Sequence, residues 1–213
     1  MHQSIADIRK DYKLRSLSEE DVSSDPIEQF TNWWSEAVNS KIDEVNAMTL
    51  ATATPDGIPS ARIVLLKGLS KDGFLFFTNY NSQKGKELAA NAKGALVFFW
   101  KELERQVRIE GTVEKVSEAD SAAYFASRPA ASKIGAWASD QSTIVSSRKI
   151  IEESFLKYQD RFGEGNIPKP THWGGYIVKP VRVEFWQGRR SRLHDRILYS
   201  QISEKWNVER LAP

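Results

Sequence analysis

From Ala47 onward, apolar residues recur at every second position in short runs separated by turn residues. AMTLATA, IPSARIVLLK and FLFFTN are divided by PDG (Pro55 to Gly57) and SKDG, and this alternation predicts consecutive antiparallel strands. GALVFFW with RQVRIEGTVEKV predicts another strand pair, and GGYIVKPVRVEFWQG, DRILYSQ and WNVERL return to strand near the end. Helical periodicity appears between these runs. Asp25, Pro26 and Glu28 supply a cap, a proline at the first helical position and a capping-box acid, with Ile27, Phe30, Trp34 and Val38 on one face. SQKGKELAAN predicts a short helix capped by Ser82. Ser117 and Asp120 open a helix that ends near Arg128, because Pro129 follows. A longer helix is predicted from about Ile144 to Phe162, with Ile151, Phe155, Tyr158 and Phe162 as its buried stripe and Gly163 as its stop. The first 24 residues lack periodicity and predict a mobile arm, leaving 25–213 as a single domain. There is no βαβ alternation, which argues against a parallel Rossmann sheet. The expected class is mainly β with α, an antiparallel barrel with helices outside.

Composition narrows the chemistry. With no cysteine among 213 residues there is no disulfide, thiolate nucleophile or cysteine-ligated metal, and the chain suits a reducing, cytoplasmic compartment. Only His2, His172 and His194 are present and none is spaced for shared ligation, so no metal site is expected. A formal net charge of +2 argues against nucleic acid as a partner. No run approaches the roughly 20 apolar residues of a membrane-spanning helix, and the N-terminus lacks a secretory pattern.

Local charge is more informative. Neither GxxxxGK[ST] nor GxGxxG occurs, so a bound phosphate must be held by side chains. The candidates are Arg62 with Lys67, Thr78 with Ser82 and Lys84, Arg128 with Ser132, and Arg192 with Arg196. A regular strand places Arg62, Val64 and Leu66 on one face and Ile63, Leu65 and Lys67 on the other, and apolar neighbours on both faces imply a largely buried strand. The two cations then either reach water at the strand ends or converge on an anion. Tyr124 and Arg128 share a helical face, with Ser132 just past the proline. This trio either supports its own helix or holds a phosphate through a guanidinium fork and two hydroxyls. Gln106, Gln141 and Ser142 are ordinary loop, strand or cap residues unless a ring with alternating donors and acceptors needs amides. In EFWQGRRSRLHDR, four arginines and a histidine face two acids. If that stretch is extended, Arg192, His194 and Arg196 share one face. A solvated basic edge accounts for Arg189 and Arg190 but not for Trp186 and His194.

VEFWQGRRSRLHDR resembles the C-terminal signature of pyridoxine (pyridoxamine) 5'-phosphate oxidases. ARIVLLK, FFTNYNSQKG, ERQVRIEG, YFASRP, SKIGAWASDQS, WGGYIV and ERLAP resemble the same family, in order and over nearly the whole chain. The resemblance implies an FMN-binding split barrel, a Greek-key-like antiparallel barrel forming a homodimer with FMN at the interface. It implies FMN contacts from Arg62, Ile63, Val64, Leu65, Leu66, Lys67, Phe77, Thr78, Lys84, Gln106, Gln141, Ser142, Trp186 and Arg196. For substrate it implies Lys67, Tyr124, Arg128, Ser132, Arg192 and His194, with Arg9, Lys10, Asp11 and Tyr12 closing over the site; Arg192 and His194 are the catalytic candidates. The implied reaction oxidises pyridoxamine 5'-phosphate and pyridoxine 5'-phosphate to pyridoxal 5'-phosphate, with O2 reduced to H2O2. Two departures stand out: Gln83 replaces a usually basic residue, and Phe77 replaces a common tyrosine. Other flavin or deazaflavin oxidoreductases of the same fold, and a non-catalytic carrier of pyridoxal phosphate, are the competing readings.

Overall fold

A computed structural model describes residues 5, 11–163 and 165–213. Arg9 and Lys10 lie outside the described residues. In chain order the elements are α1 (Pro26–Asn39), β1 (Ala47–Ala53), β2 (Pro59–Leu65), β3 (Gly68–Ser70), β4 (Gly73–Asn79), α2 (Gln83–Ala90), β5 (Lys93–Trp100), β6 (Arg105–Lys115), α3 (Glu118–Ser127), α4 (Ala130–Ala138), α5 (Arg148–Phe162), β7 (Trp173–Gln187), β8 (Asp195–Ile202) and β9 (Lys205–Arg210). The strands form a nine-stranded sheet in the order β2-β1-β5-β6-β7-β4-β3, with β8 on β7 and β9 on β8. The β3/β4, β4/β7, β7/β8 and β8/β9 pairs are antiparallel, in keeping with the alternating pattern.

The chain divides into two compact units. One comprises the chain up to Leu50, Ala95–Gly111 and Pro180–Pro213; the other comprises Ala51–Gly94 and Thr112–Lys179. In the first, α1 starts as its sequence dictates: the Asp25 carboxylate accepts from the Ile27 and Glu28 amides at 2.7 and 3.0 Å, ahead of Pro26. Its buried stripe is Phe30, Trp33 and Ala37, whereas Val38 is exposed. This corrects the predicted Trp34 and Val38 face. The helix is rotated by the docking of Trp33, which meets Phe185 edge-on at 5.2 Å and carries the Arg105 guanidinium on its face at 4.2 Å. The polar N-terminal stretch is tied down from Lys13. The amides of Lys13 and Leu14 donate to the Glu104 carboxylate, the Leu17 amide donates to Asp195, and Leu17 itself is buried.

In the second unit β4 pairs with the first half of β7, setting Phe77 opposite Gly175 and Asn79 opposite Trp173. Phe125, Ile134, Ile167 and Trp173 form a core, and Phe155, Tyr158 and Phe162 of α5 pack against it. The longer predicted helix is corrected at its start: α5 begins at Arg148, and Ile144 and Ile151 are exposed. The predicted strand IPSARIVLLK is also broken, with β2 ending at Leu65 and β3 starting at Gly68. Nor is β2 largely buried, for Ile63 is 66% exposed. It ends the strand order, where among the described residues only β1 pairs with it.

Candidate active site

A cavity of about 830 Å³ opens within the second unit, a size ordinary for a cofactor or small-molecule site. Arg62, Ile63, Val64 and Leu65 of β2 line it, with Lys67, Phe77, Thr78, Lys84, Tyr124, Arg128, Ser132 and Gln141. Of the FMN residues expected from this unit, two are absent from the lining. Leu66 is buried, and Ser142 adopts a left-handed backbone with φ 72°. Ser142 is not a helix cap either, because Ser147 occupies that position of α5.

One group of cations is built around α2. Ser82 caps the helix through the Gly85 amide, and the next residues place Lys84 inward, where its ammonium is buried. It donates to Thr78 Oγ1 at 3.3 Å, Gln141 Oε1 at 3.1 Å and Ser82 Oγ at 3.5 Å, all neutral acceptors. Burial, and then the charge of Arg62, pushes its pKa down, while Glu87 acts in the opposite direction. The Arg62 guanidinium donates to Thr52 and Ser60 and approaches Glu87 at 3.4 Å. A buried ammonium and a guanidinium in one pocket are chemically able to receive an anion.

The second cationic feature is Arg128, just past the end of α3. Its guanidinium lies 4.7 Å from the Trp173 ring and 5.6 Å from Phe125, and burial pushes its pKa down. Nη1 is buried without a hydrogen-bond partner among the described residues. An orphaned donor of this kind calls for an acceptor from a ligand. Beside it, Tyr124 stacks on Phe77 with centroids 3.9 Å apart, and Trp173 stacks on Phe77 at 5.4 Å. The predicted i, i+4 pair is therefore not a solvated one. Trp173, Asn79 and Ser139 also line the cavity and were not among the predicted residues. Trp173 had a signal, since an aromatic stood next to two glycines in WGGYIV.

The remaining candidates lie in the first unit. EFWQGRRSRLHDR is not extended throughout: Arg190–Arg192 form a tight turn, with Ser191 and Arg192 at φ 55° and 63°. The common face expected for Arg192, His194 and Arg196 is thereby corrected, because a left-handed pair reverses the alternation. Much of the positive charge is paired. Arg196 makes a two-pronged contact with Glu184, at 2.8 and 3.1 Å, and Arg189 meets Asp195 at 2.8 Å. Arg192 is exposed, and Gln106 lies half-buried on β6. The Trp186 and His194 rings are 4.6 Å apart, and Tyr12 stands over both, at 5.7 and 6.0 Å. A Cβ on Gly188 would lie 2.7 Å from the Tyr12 ring, so the bare backbone there makes room for it. The Arg189 amide donates to His194 Nδ1 at 3.1 Å, which makes Nδ1 an acceptor and leaves the proton on Nε2.

The antiparallel sheet is that of a split-barrel protein, and its pocket is lined by the cations Arg62, Lys67, Lys84 and Arg128. A related FMN-binding protein from Nostoc punctiforme PCC 73102 has this fold, with a TM-score of 0.71 at 17% identity over 90% of this chain and 100% of that one. PhzG of Burkholderia lata 383, solved with tetrahydrophenazine-1-carboxylic acid, has a TM-score of 0.90 at 26% identity, covering 96% of this chain and 100% of that one. The pyridoxamine 5'-phosphate oxidase family model matches residues 34–161, and the pyridoxine 5'-phosphate oxidase C-terminal dimerisation region matches 173–213. A pyridoxine/pyridoxamine 5'-phosphate oxidase of Trichormus variabilis is 55% identical over 100% of both chains. One of Cupriavidus metallidurans is 57% identical over 98% of this chain and 99% of its own. The chain belongs to the pyridoxamine 5'-phosphate oxidase family.

Proposed function

We propose that this protein oxidises pyridoxamine 5'-phosphate and pyridoxine 5'-phosphate to pyridoxal 5'-phosphate, with FMN as cofactor and O2 as final acceptor, giving H2O2. The observation that carries this reading is the pairing of two anion-seeking features in one pocket: Lys84 buried among neutral acceptors beside Arg62, and Arg128 with an orphaned donor. One ligand phosphate suits each. The residues present therefore fit FMN, whose phosphate would be held by Arg62 and Lys84, with Thr78 and Gln141 as neutral partners and the β2 backbone alongside. Leu66, Lys67, Phe77, Gln106, Ser142, Trp186 and Arg196 complete the proposed flavin set. When bound, FMN supplies the two-electron acceptor that takes a hydride from the substrate C4' carbon.

The chain's own residues bind and orient. Arg128, Tyr124 and Ser132 hold the substrate phosphate, and the aromatic stack at Phe77, Tyr124 and Trp173 excludes water from that end. Arg192, His194 and Lys67 are assigned to the substrate ring, with Asp11 and Tyr12 of the N-terminal segment, and with Arg9 and Lys10, covering it. We place the working form in a cytoplasmic homodimer with FMN at the interface, a reading supported by the match of 173–213 to a dimerisation region. Identities of 55–57% to pyridoxine/pyridoxamine 5'-phosphate oxidases favour this reading over the more distant PhzG.

The test is anaerobic absorbance of the FMN-loaded chain. Pyridoxamine 5'-phosphate should bleach the flavin band, and air should restore it. A band that neither phosphorylated vitamer bleaches would leave a carrier and remove the oxidase.

His194 adds a pH prediction. With Nδ1 accepting from Arg189, the neutral ring presents an Nε2 proton to a substrate oxygen. Burial, and then the Arg192 charge, lowers its pKa below 6.5, against the pull of Asp195. A lowered pKa preserves the neutral ring through neutral pH. The acid limb of kcat/KM should fall below 6.5, and His194→Asn should flatten it. A limb that lies above that value, or persists unchanged in the variant, would remove His194 from this role.

A further inference from the structure

Glu87 is a buried carboxylate on the α2 face that also carries Lys84 into the pocket. Its Oε2 accepts from Thr52 and, at 2.6 Å, from Ser60, and lies 3.4 Å from Arg62 Nη2. Its Oε1 accepts from Gln83 Nε2 at 2.9 Å. Burial raises its pKa, but the bonds from Ser60, Thr52 and Gln83 and the charge of Arg62 outweigh this and hold it at about 2. The carboxylate is therefore charged at any working pH.

We propose that Glu87 is an affinity-setting residue that offsets Arg62, so that the FMN phosphate is held by two cations against one fixed carboxylate and binds more weakly than the cations alone would allow. This rests on the FMN reading above. Three features separate the role from simple positioning. Arg62 already has hydroxyl acceptors on Thr52 and Ser60, so its orientation does not require a carboxylate. Its approach to Glu87 is long, whereas the short bonds of Glu87 come from neutral hydroxyls. Lys84 donates to Thr78, Ser82 and Gln141 and feels Glu87 only through space, and the residue four before Glu87 on the helix is neutral Gln83, so neither forms an ion pair with the carboxylate. In a half-buried site a charge at this range acts on a phosphate without touching it.

Glu87→Gln keeps the volume and, through its one amide oxygen, the bonds from Thr52 and Ser60; Gln83 must turn its own amide to accept from the new NH2, and the charge is removed. In the full-length chain stripped of flavin, quenching of flavin fluorescence reads the affinities for FMN and for riboflavin, which lacks the phosphate. The variant should bind FMN about tenfold more tightly, with riboflavin unchanged. Gln83 is exposed, so Gln83→Lys should fold even where Glu87→Gln does not. By giving Glu87 a cation at i, i+4 it should shift the FMN-to-riboflavin ratio in the same direction. Unchanged or weaker FMN binding in the folded variants overturns the proposal, as does equal tightening of both flavins. A wild-type chain that binds the two flavins equally removes the phosphate site itself, and the proposal with it.

Discussion

Arg128→Leu should lower kcat/KM for pyridoxamine 5'-phosphate by about a thousandfold, leave the affinity for FMN unchanged, and raise the melting temperature of the ligand-free protein. The first effect follows from removing a charged partner of the substrate phosphate, for which losses of about 2–5 kcal/mol are usual. The last follows from what the arginine costs in the absence of substrate. Its Nη1 is buried without a hydrogen-bond partner among the described residues, and its charge is disfavoured by burial. An unmet buried donor costs about 1–3 kcal/mol, only part of which the Trp173 ring at 4.7 Å returns. A leucine avoids that cost and packs against Phe125 and Trp173. Each kcal/mol gained should raise Tm by about 2–4 °C for a chain of this size. Thermal melts and steady-state kinetics decide the matter together. If activity falls and Tm falls with it, Arg128 is a structural residue; if turnover stays within tenfold, it does not hold the phosphate.

What was legible in the sequence was whatever depends on local pattern. Strand alternation, the Asp25, Ser82 and Ser117 caps and the stop at Pro129 all reappear, because each is decided within a few residues of itself. The clusters Thr78 with Lys84 and Tyr124 with Arg128 were legible as chemistry, although their shared pocket was not. What escaped was decided at long range or by backbone geometry. Helix α4 has an Ala- and Gly-rich sequence directly after a proline, and its periodicity is carried by the burial of Ile134 alone. Leu66 leaves the predicted face because β2 ends one residue before it. The Arg192, His194 and Arg196 alignment fails at Ser191 and Arg192, whose left-handed conformations no side-chain pattern announces. Glu87 reads as a solvated helix acid until Thr52, Ser60 and Arg62 are brought over it by the fold. Glu184 is similar: only the register of β7 with β8 shows that it holds Arg196.

Gly85→Ala should destabilise the protein by about 3 kcal/mol, lowering Tm by roughly 6–12 °C, and should weaken FMN binding at the same time. Helix propensity alone predicts the opposite sign, since glycine inside a helix costs about 0.5–1 kcal/mol relative to alanine. Close approach decides between them. A Cβ at this position would lie 2.1 Å from the Tyr80 carbonyl oxygen and 2.5 Å from its carbon, so backbone rather than a flexible side chain would have to yield. Tyr80 is not free to retreat. Its amide donates to the His172 carbonyl at 2.6 Å, and its hydroxyl donates to Gly175 O at 3.2 Å. The strain must therefore be relieved by α2, which carries Lys84 on one side of the glycine and Glu87 on the other. Moving α2 withdraws the buried ammonium from Thr78 and Gln141 and spoils the anion site along with the packing. Melting and FMN titration of the same variant provide the check. A more stable Gly85→Ala would show that propensity outweighs the contact; lost stability with unaltered FMN affinity would show that α2 does not position the phosphate ligand.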